Sequence, residues 1–186
     1  RGLIESTQGR GSYVLRPAIR YTIGKRTRFT DAMQSQSLKA ATRTLDLTIK
    51  TATREICEAL DMPPGSKTIE LRRLGFAGDE PVSLSVHNFS YKRFPFFVKM
   101  YRDNMSVTEA LMNCGVLDFT RKRTVVQSRL PDATEAQYLN LPRHVPLIIT
   151  RAWNVDSIGD AIEYGTAFFA SDRVQLNIES DRPTEH

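Results

Sequence analysis

The sequence predicts an α+β domain: a mostly antiparallel sheet with helices packed on one side. Three observations predict it. Long stretches alternate apolar and polar residues, the period of a strand with one buried face. These stretches come in pairs joined by turn residues, so hairpins dominate. The helical patterns between them are short, and each carries its own cap or stop.

The elements follow in order. The chain opens on Leu3-Ile4, a Gln8-Gly9-Arg10-Gly11 turn and Ser12-Tyr13-Val14, which is a hairpin signature. Residues 15–27 contain Pro17 and Gly24 and read as a linker with a short extended piece. Thr30 or Asp31 caps a short helix that ends near Ser37. Thr42 to Lys50 is a strand burying Leu45, Leu47 and Ile49. Ala52, Ile56, Ala59 and Leu60 have helical spacing, and Pro63-Pro64-Gly65 stops that helix. Thr68 to Phe76 and Val82 to Tyr91 form strands around the turn Ala77-Gly78-Asp79-Glu80. Phe94 to Tyr101 is a short aromatic helix. Ser106, with Glu109 three residues on, opens another helix as a capping box, and Gly115 closes it. Phe119 to Leu130 is a basic strand. Asp132 to Leu139 is a helix capped by Asp132. Pro146 to Asp156 and Ala161 to Phe169 form a hairpin around Ile158-Gly159-Asp160, and Val174 to Glu179 adds a last short strand. Residues 181–186 read as a frayed tail.

Composition narrows the function. With 186 residues, 40% of them hydrophobic and 25% charged, the chain can build one substantial core. No apolar run approaches a membrane span and no signal-peptide pattern is present, so no membrane partner is expected. Cys57 and Cys114 lack metal-ligand spacing and read as buried thiols of a reducing compartment, with a disulfide between them as the alternative; a cytoplasmic location is the expectation. The net charge of +5 is weighted toward the beginning, at Arg1, Arg10, Arg16, Arg20, Lys25, Arg26 and Arg28. Such an arm lies near phosphates or is simply a solvated linker. The sequence lacks G-x-S-x-G, H-E-x-x-H, P-loop and G-x-G-x-x-G motifs, and its carboxylates form no evident acid/base pair. No enzyme activity, cofactor or metal is expected.

The phrase Gly2-Leu3-Ile4, Gln8-Gly9, Gly11-Ser12 and Val14 resembles the wing of the winged helix in GntR-family bacterial transcription factors. Later phrases extend the resemblance: Arg28-Phe29-Thr30, Leu71-Arg72-Arg73-Leu74, Gly78-Asp79-Glu80-Pro81, Ser106-Val107-Thr108, Ile162-Glu163-Tyr164-Gly165-Thr166 and Asp172-Arg173. In order and spacing they resemble the UTRA effector domain of the HutC branch, with wording closest to its phosphonate-metabolism regulators. The resemblance implies a chorismate-lyase-like fold. It divides the chain into a wing remnant at 1–14, a linker at 15–27, an effector domain at 28–180 and a tail at 181–186. It places the DNA-reading helices upstream of Arg1. The implied partners are a small anionic effector, operator DNA through that upstream winged helix, and a second copy in a homodimer. Two other readings share parts of the pattern: an enzyme of chorismate-lyase type, and a regulator sensing a sugar phosphate or a non-phosphorylated metabolite.

The resemblance also implies a pocket. Arg73, late in its strand, can clamp a phosphonate or phosphate through two parallel hydrogen bonds, or it is a surface arginine. Thr30 and Asp31 stand at a helix start that favours an anion, or act as plain caps. Ser106 and Thr108 offer hydroxyls. Glu163 can accept from an amino or hydroxyl group, or is an inert strand residue. Phe29, Tyr164 and Phe169 wall the site or belong to the core. In the run Arg121-Lys122-Arg123, Arg121 is the residue expected to turn inward. Sugar-phosphate sensors of this branch often carry an arginine at the position of Gly75, a glutamate at that of Ser85 and tyrosines at those of Thr108 and Phe169. Those departures favour a smaller anion, such as an alkylphosphonate.

Overall fold

The computed structural model describes residues 4–7, 11–14, 18–24, 36 and 39–178. The alternating stretches form strands throughout. In chain order the elements are β1 (Ile4–Thr7), β2 (Gly11–Val14), β3 (Ile19–Ile23), β4 (Ala40–Thr51), α1 (Arg54–Ala59), β5 (Lys67–Ala77), β6 (Glu80–Ser90), α2 (Phe97–Asn104), α3 (Val107–Asn113), β7 (Phe119–Arg129), α4 (Ala133–Tyr138), β8 (Leu147–Asp156), β9 (Ala161–Ala170) and β10 (Val174–Ile178). The expected helix near residue 31, the turn at 8–10 and the tail at 181–186 lie outside the described residues.

Six strands make one antiparallel sheet in the order β4-β5-β6-β9-β8-β7. β1 and β2 pair antiparallel as the opening hairpin, Ile4 opposite Val14. The extended piece in residues 15–27 is β3, and it pairs in parallel with β10, Tyr21 opposite Leu176. The side chain of Gln36 covers the backbone of β3: its Oε1 accepts from Arg20 N at 2.8 Å and its Nε2 donates to Arg20 O at 2.5 Å. Gly78, at φ +62°, turns β5 into β6, a conformation that L side chains rarely adopt.

Helices pack on both faces of the sheet, where the sequence pattern predicted one. Directly paired residues of an antiparallel sheet point to the same side, and neighbours along a strand to opposite sides. On the front, Ile69, Leu71 and Phe89 bury against Phe97 and Tyr101 of α2 and Ala110 and Leu111 of α3. On the back, Leu74, Leu84 and Ile149 pack on Leu139 and Leu141 at the end of α4. Tyr164 packs there on Ile56, Cys57 and Leu60, in and after α1. Short helices give weak sequence signals about which face they cover, because one apolar stripe fits either side.

Local signals set the helix limits. α2 starts at Phe97, three residues after the expected Phe94, because a residue before proline is disfavoured in the helical region and Pro95 follows Phe94. Ser106 Oγ accepts from Glu109 N at 3.3 Å, a one-sided cap. The reciprocal capping box forms at α4. There Asp132 Oδ1 accepts from Glu135 N at 2.8 Å, and Glu135 Oε2 accepts from Asp132 N at 2.9 Å. Arg129 then grips the Glu135 carboxylate with both terminal nitrogens at 2.6 Å. Arg173 staples the β10 end of the fold by donating to the carbonyls of Pro81, Leu139 and Asn140.

Replacing Asp132 with alanine removes one side of that box. The expected cost is about 1 kcal/mol of unfolding free energy, read as a lower urea midpoint, with Asp132→Asn retaining most of it.

Candidate functional site

A cavity of about 550 Å³ opens on the front of the sheet. The sheet is its floor. On β9, Glu163, Gly165, Ala167 and Phe169 line it. Thr150, Ala152 and Asn154 do so on β8, and Ser83, Ser85 and His87 on β6. Thr166 also borders the cavity, and apart from it each set steps by two residues, as the pleat requires. Tyr21 of β3 and the segment from Met105 to Glu109 form the walls. Met105 sits at φ +54°, a left-handed conformation that costs about 1–2 kcal/mol outside glycine and brings the start of α3 to the cavity.

Two arginines reach this space from well-separated strands. Arg73 on β5 lies directly opposite Ser85. Its Nη2 donates to Thr42 Oγ1, its guanidinium lies 5.9 Å from the centre of the Tyr101 ring, and its buried Nε has no hydrogen-bond partner. Burial pulls its pKa below the ordinary arginine value, against the opposing pull of Tyr101 and Glu163. Arg121 comes from β7, the far edge of the sheet. Arg121 pairs with Asn154 and Arg123 with Trp153, so Lys122 is an extra, bulged residue. A bulge flips the phase of a strand. It turns Arg121 into the cavity while Arg123 lies over the Trp153 ring on the back, 4.9 Å from its centre. Tyr21, buried at 6% exposure, shares a hydrogen bond with Arg121. Burial raises the pKa of its phenol, and Arg121 opposes that rise.

Between the arginines lies a buried carboxylate. Glu163 Oε1 meets His87 Nδ1 at 2.5 Å and Oε2 accepts from Asn154 Nδ2 at 2.8 Å. His87 Nε2 in turn lies 3.0 Å from Ser85 Oγ. Burial pushes the Glu163 pKa up, but the charge and hydrogen bond of His87, the Asn154 amide and the Arg121 charge outweigh it. The carboxyl stays below its usual range. Gly165 makes the room: a Cβ there would stand 3.1 Å from Glu163 Oε1.

The expected site residues divide accordingly. Arg73, Arg121, Ser106, Thr108, Glu163 and Phe169 all line the cavity. Glu163 does so with both oxygens already engaged by protein donors, so it acts first on His87. Tyr164 does not line it. Being next to Glu163 on a strand, it points to the back. There it is buried, its ring lies tilted against Trp153 with centres 5.0 Å apart, and it donates to Glu55 Oε1 at 2.6 Å. Burial and that carboxylate push its pKa up to about 12. Phe29, Thr30 and Asp31 lie outside the described residues. Sequence reasoning passed over His87, Asn154, Thr42 and Tyr21. The available signal was Ser83-x-Ser85-x-His87, a polar face alternating with Val82 and Leu84.

The UTRA domain family profile matches residues 35–175. The chain belongs to the UTRA domain family. An uncharacterized HTH-type transcriptional regulator of Rhizobium meliloti (strain 1021) is 33% identical over 180 residues, which is 96% of this chain and 74% of that protein. The HTH-type transcriptional repressor PhnF of Mycolicibacterium smegmatis is 25% identical over 167 residues, 90% of this chain and 68% of that protein. The crystal structure of PhnF from Mycobacterium smegmatis shares the fold, with a TM-score of 0.81 at 24% identity, covering 97% of this chain and 79% of that one. Over most of its length this UTRA chain is thus similar to HTH-type transcriptional regulators, PhnF among them. No helix among the described residues is long and apolar enough to cross a membrane.

The lowered Glu163 pKa has a pH signature. The folded state binds that proton less readily than the unfolded state. The contribution to stability is full above the unfolded value, about 4.3, and is lost as pH falls through the lower folded value. Glu163→Gln removes this dependence. Its urea midpoint is expected to fall less steeply than that of the unsubstituted chain between about pH 5 and pH 3.

Proposed function

We propose that this UTRA domain senses a small phosphonate or phosphate ester held between Arg73 and Arg121, and that occupancy changes operator binding by an upstream winged helix. The observation that carries the reading is the convergence of two guanidinium groups, from β5 and β7, on one cavity. The unpartnered buried Nε of Arg73 supports it further. A guanidinium matches a tetrahedral anion through paired, charge-assisted hydrogen bonds. Hydroxyls of Ser85, Ser106 and Thr108 surround the same space and suit the remaining oxygens. Its volume leaves room for an organic substituent.

Regulation then needs no chemistry. An effector with different affinity for two arrangements of a dimer shifts their populations by that difference alone. Two-fold symmetry suits a palindromic operator. The similarity to PhnF, itself named a transcriptional repressor, favours repression as the basal state.

Isothermal titration against methylphosphonate, longer alkylphosphonates and simple phosphate monoesters tests the reading, with a hexosamine phosphate as competitor class. Binding of at least one small anion is expected. Arg73→Ala should weaken it about 10- to 100-fold, the worth of a charged hydrogen-bond pair. Heat from the hexosamine phosphate and none from the small anions would overturn the proposed class.

A further inference from the structure

We propose that Ser85, His87 and Glu163 form a working nucleophile–base–carboxylate relay, and that the cavity hydrolyses short anionic esters in addition to its regulatory role. The geometry has the required links: Ser85 Oγ to His87 Nε2 at 3.0 Å, and His87 Nδ1 to Glu163 Oε1 at 2.5 Å. Such relays are recognised by geometry and roles, since the same constellation recurs on unrelated folds in different chain orders.

Each role follows from the surroundings. An ionised carboxylate only accepts hydrogen bonds, so Glu163 takes the Nδ1–H of His87. In the neutral ring this leaves Nε2 as the acceptor for the Ser85 hydroxyl. Asn154 holds the second carboxylate oxygen, fixing the orientation of Glu163. The absence of a side chain at Gly165 keeps the carboxylate in reach of the ring. Directly across from Ser85 in the β5–β6 register stands Arg73, whose buried Nε–H has no partner. Arg73 and Ser85 line the same cavity, so this guanidinium is the donor assigned to charge developing on a carbonyl oxygen beside Ser85. Serine and histidine two apart on one strand necessarily share a face, and here that face is the cavity floor.

The reaction balances with water alone. Ser85 Oγ attacks the ester carbonyl carbon as its proton passes to His87 Nε2. The ester C–O bond breaks, and the departing oxygen takes that proton to leave as an alcohol. Water then attacks the acyl–Ser85 carbonyl and gives a proton to His87. The bond to Ser85 Oγ breaks, the serine recovers the proton, and a carboxylic acid departs.

The test uses the full 186-residue chain with two chromogenic esters, p-nitrophenyl acetate and mono-p-nitrophenyl succinate, and a fluorophosphonate probe followed by peptide mass mapping. Multiple turnovers of p-nitrophenolate release are expected, about 100-fold above Ser85→Ala, the contribution typical of a positioned base and nucleophile. His87→Ala should fall to the same floor. The succinate ester should turn over faster than the acetate ester. The fluorophosphonate adduct should map to Ser85. Release within about twofold of Ser85→Ala, a single stoichiometric burst without turnover, or an adduct on another residue would overturn the proposal. Equal rates for the two esters would overturn the anionic substrate class. If Ser85→Ala fails to fold, the adduct position and the turnover count in the unsubstituted chain decide the matter. Because these readouts need no effector, they stand apart from the titrations with phosphonates.

Discussion

A carboxylate buried in the floor of a β-sheet must be surrounded by donors, because an uncompensated buried charge costs several kcal/mol. Glu163 imposes that condition on its neighbours. It demands a histidine on β6, an amide on β8, an inward-turned arginine on β7 and a glycine two residues along its own strand. Those requirements fix the polar side of four strands at once. They also explain why the cavity is lined mainly by small or polar residues while the back of the same strands is packed with Leu84, Ile149 and Phe168. The polar network fills what would otherwise be core, and the space it leaves unfilled is the cavity.

The strands were legible in the sequence because their period is two and their turns carry glycine and acidic residues. Gly78 and the Ile158-Gly159-Asp160 turn mark two hairpins without reference to anything distant. Arg73 was singled out through the family resemblance, and the pleat, which turns it and Arg72 to opposite faces, leaves Arg73 lining the cavity. The same pleat argues against placing Glu163 and Tyr164 together, and the structure separates them. Arg121 and Arg123 show the opposite case. Strict alternation puts them on one side, and only the bulge at Lys122, a property of pairing with β8, sends them to different faces. The relay of Ser85, His87 and Glu163 was illegible for a related reason. Its last link spans 76 positions in sequence and depends on β6 lying beside β9. A capping box is local and was read correctly in kind, yet it closed fully at Asp132 and only halfway at Ser106.

The division of the sheet into two faces separates two kinds of work. On the back, Tyr164, Trp153 and the residues of α1 and α4 provide ordinary hydrophobic burial. On the front, α2 and α3 cover only one end, over Ile69, Leu71 and Phe89. The β3–β10 ribbon, with Tyr21 and Val174 packed on Phe169 and Val82, covers the other. The cavity thus lies between two separate covers on one continuous sheet.

The strand β3 also changes where this domain begins as a physical object. The family similarity runs from 35 to 175, a limit drawn by sequence. Tyr21 lies before it, yet packs its ring at a tilt on Phe169, centres 4.9 Å apart, and walls the cavity. Leu176 and Ile178, partners of Tyr21 and Ile23, lie after it. A fragment trimmed to the similarity limits would keep the six-stranded sheet and lose one whole side of its chamber. The unit that encloses a ligand is thus larger than the unit that sequence comparison outlines, and the difference lies in the stretch of chain leading from the opening hairpin.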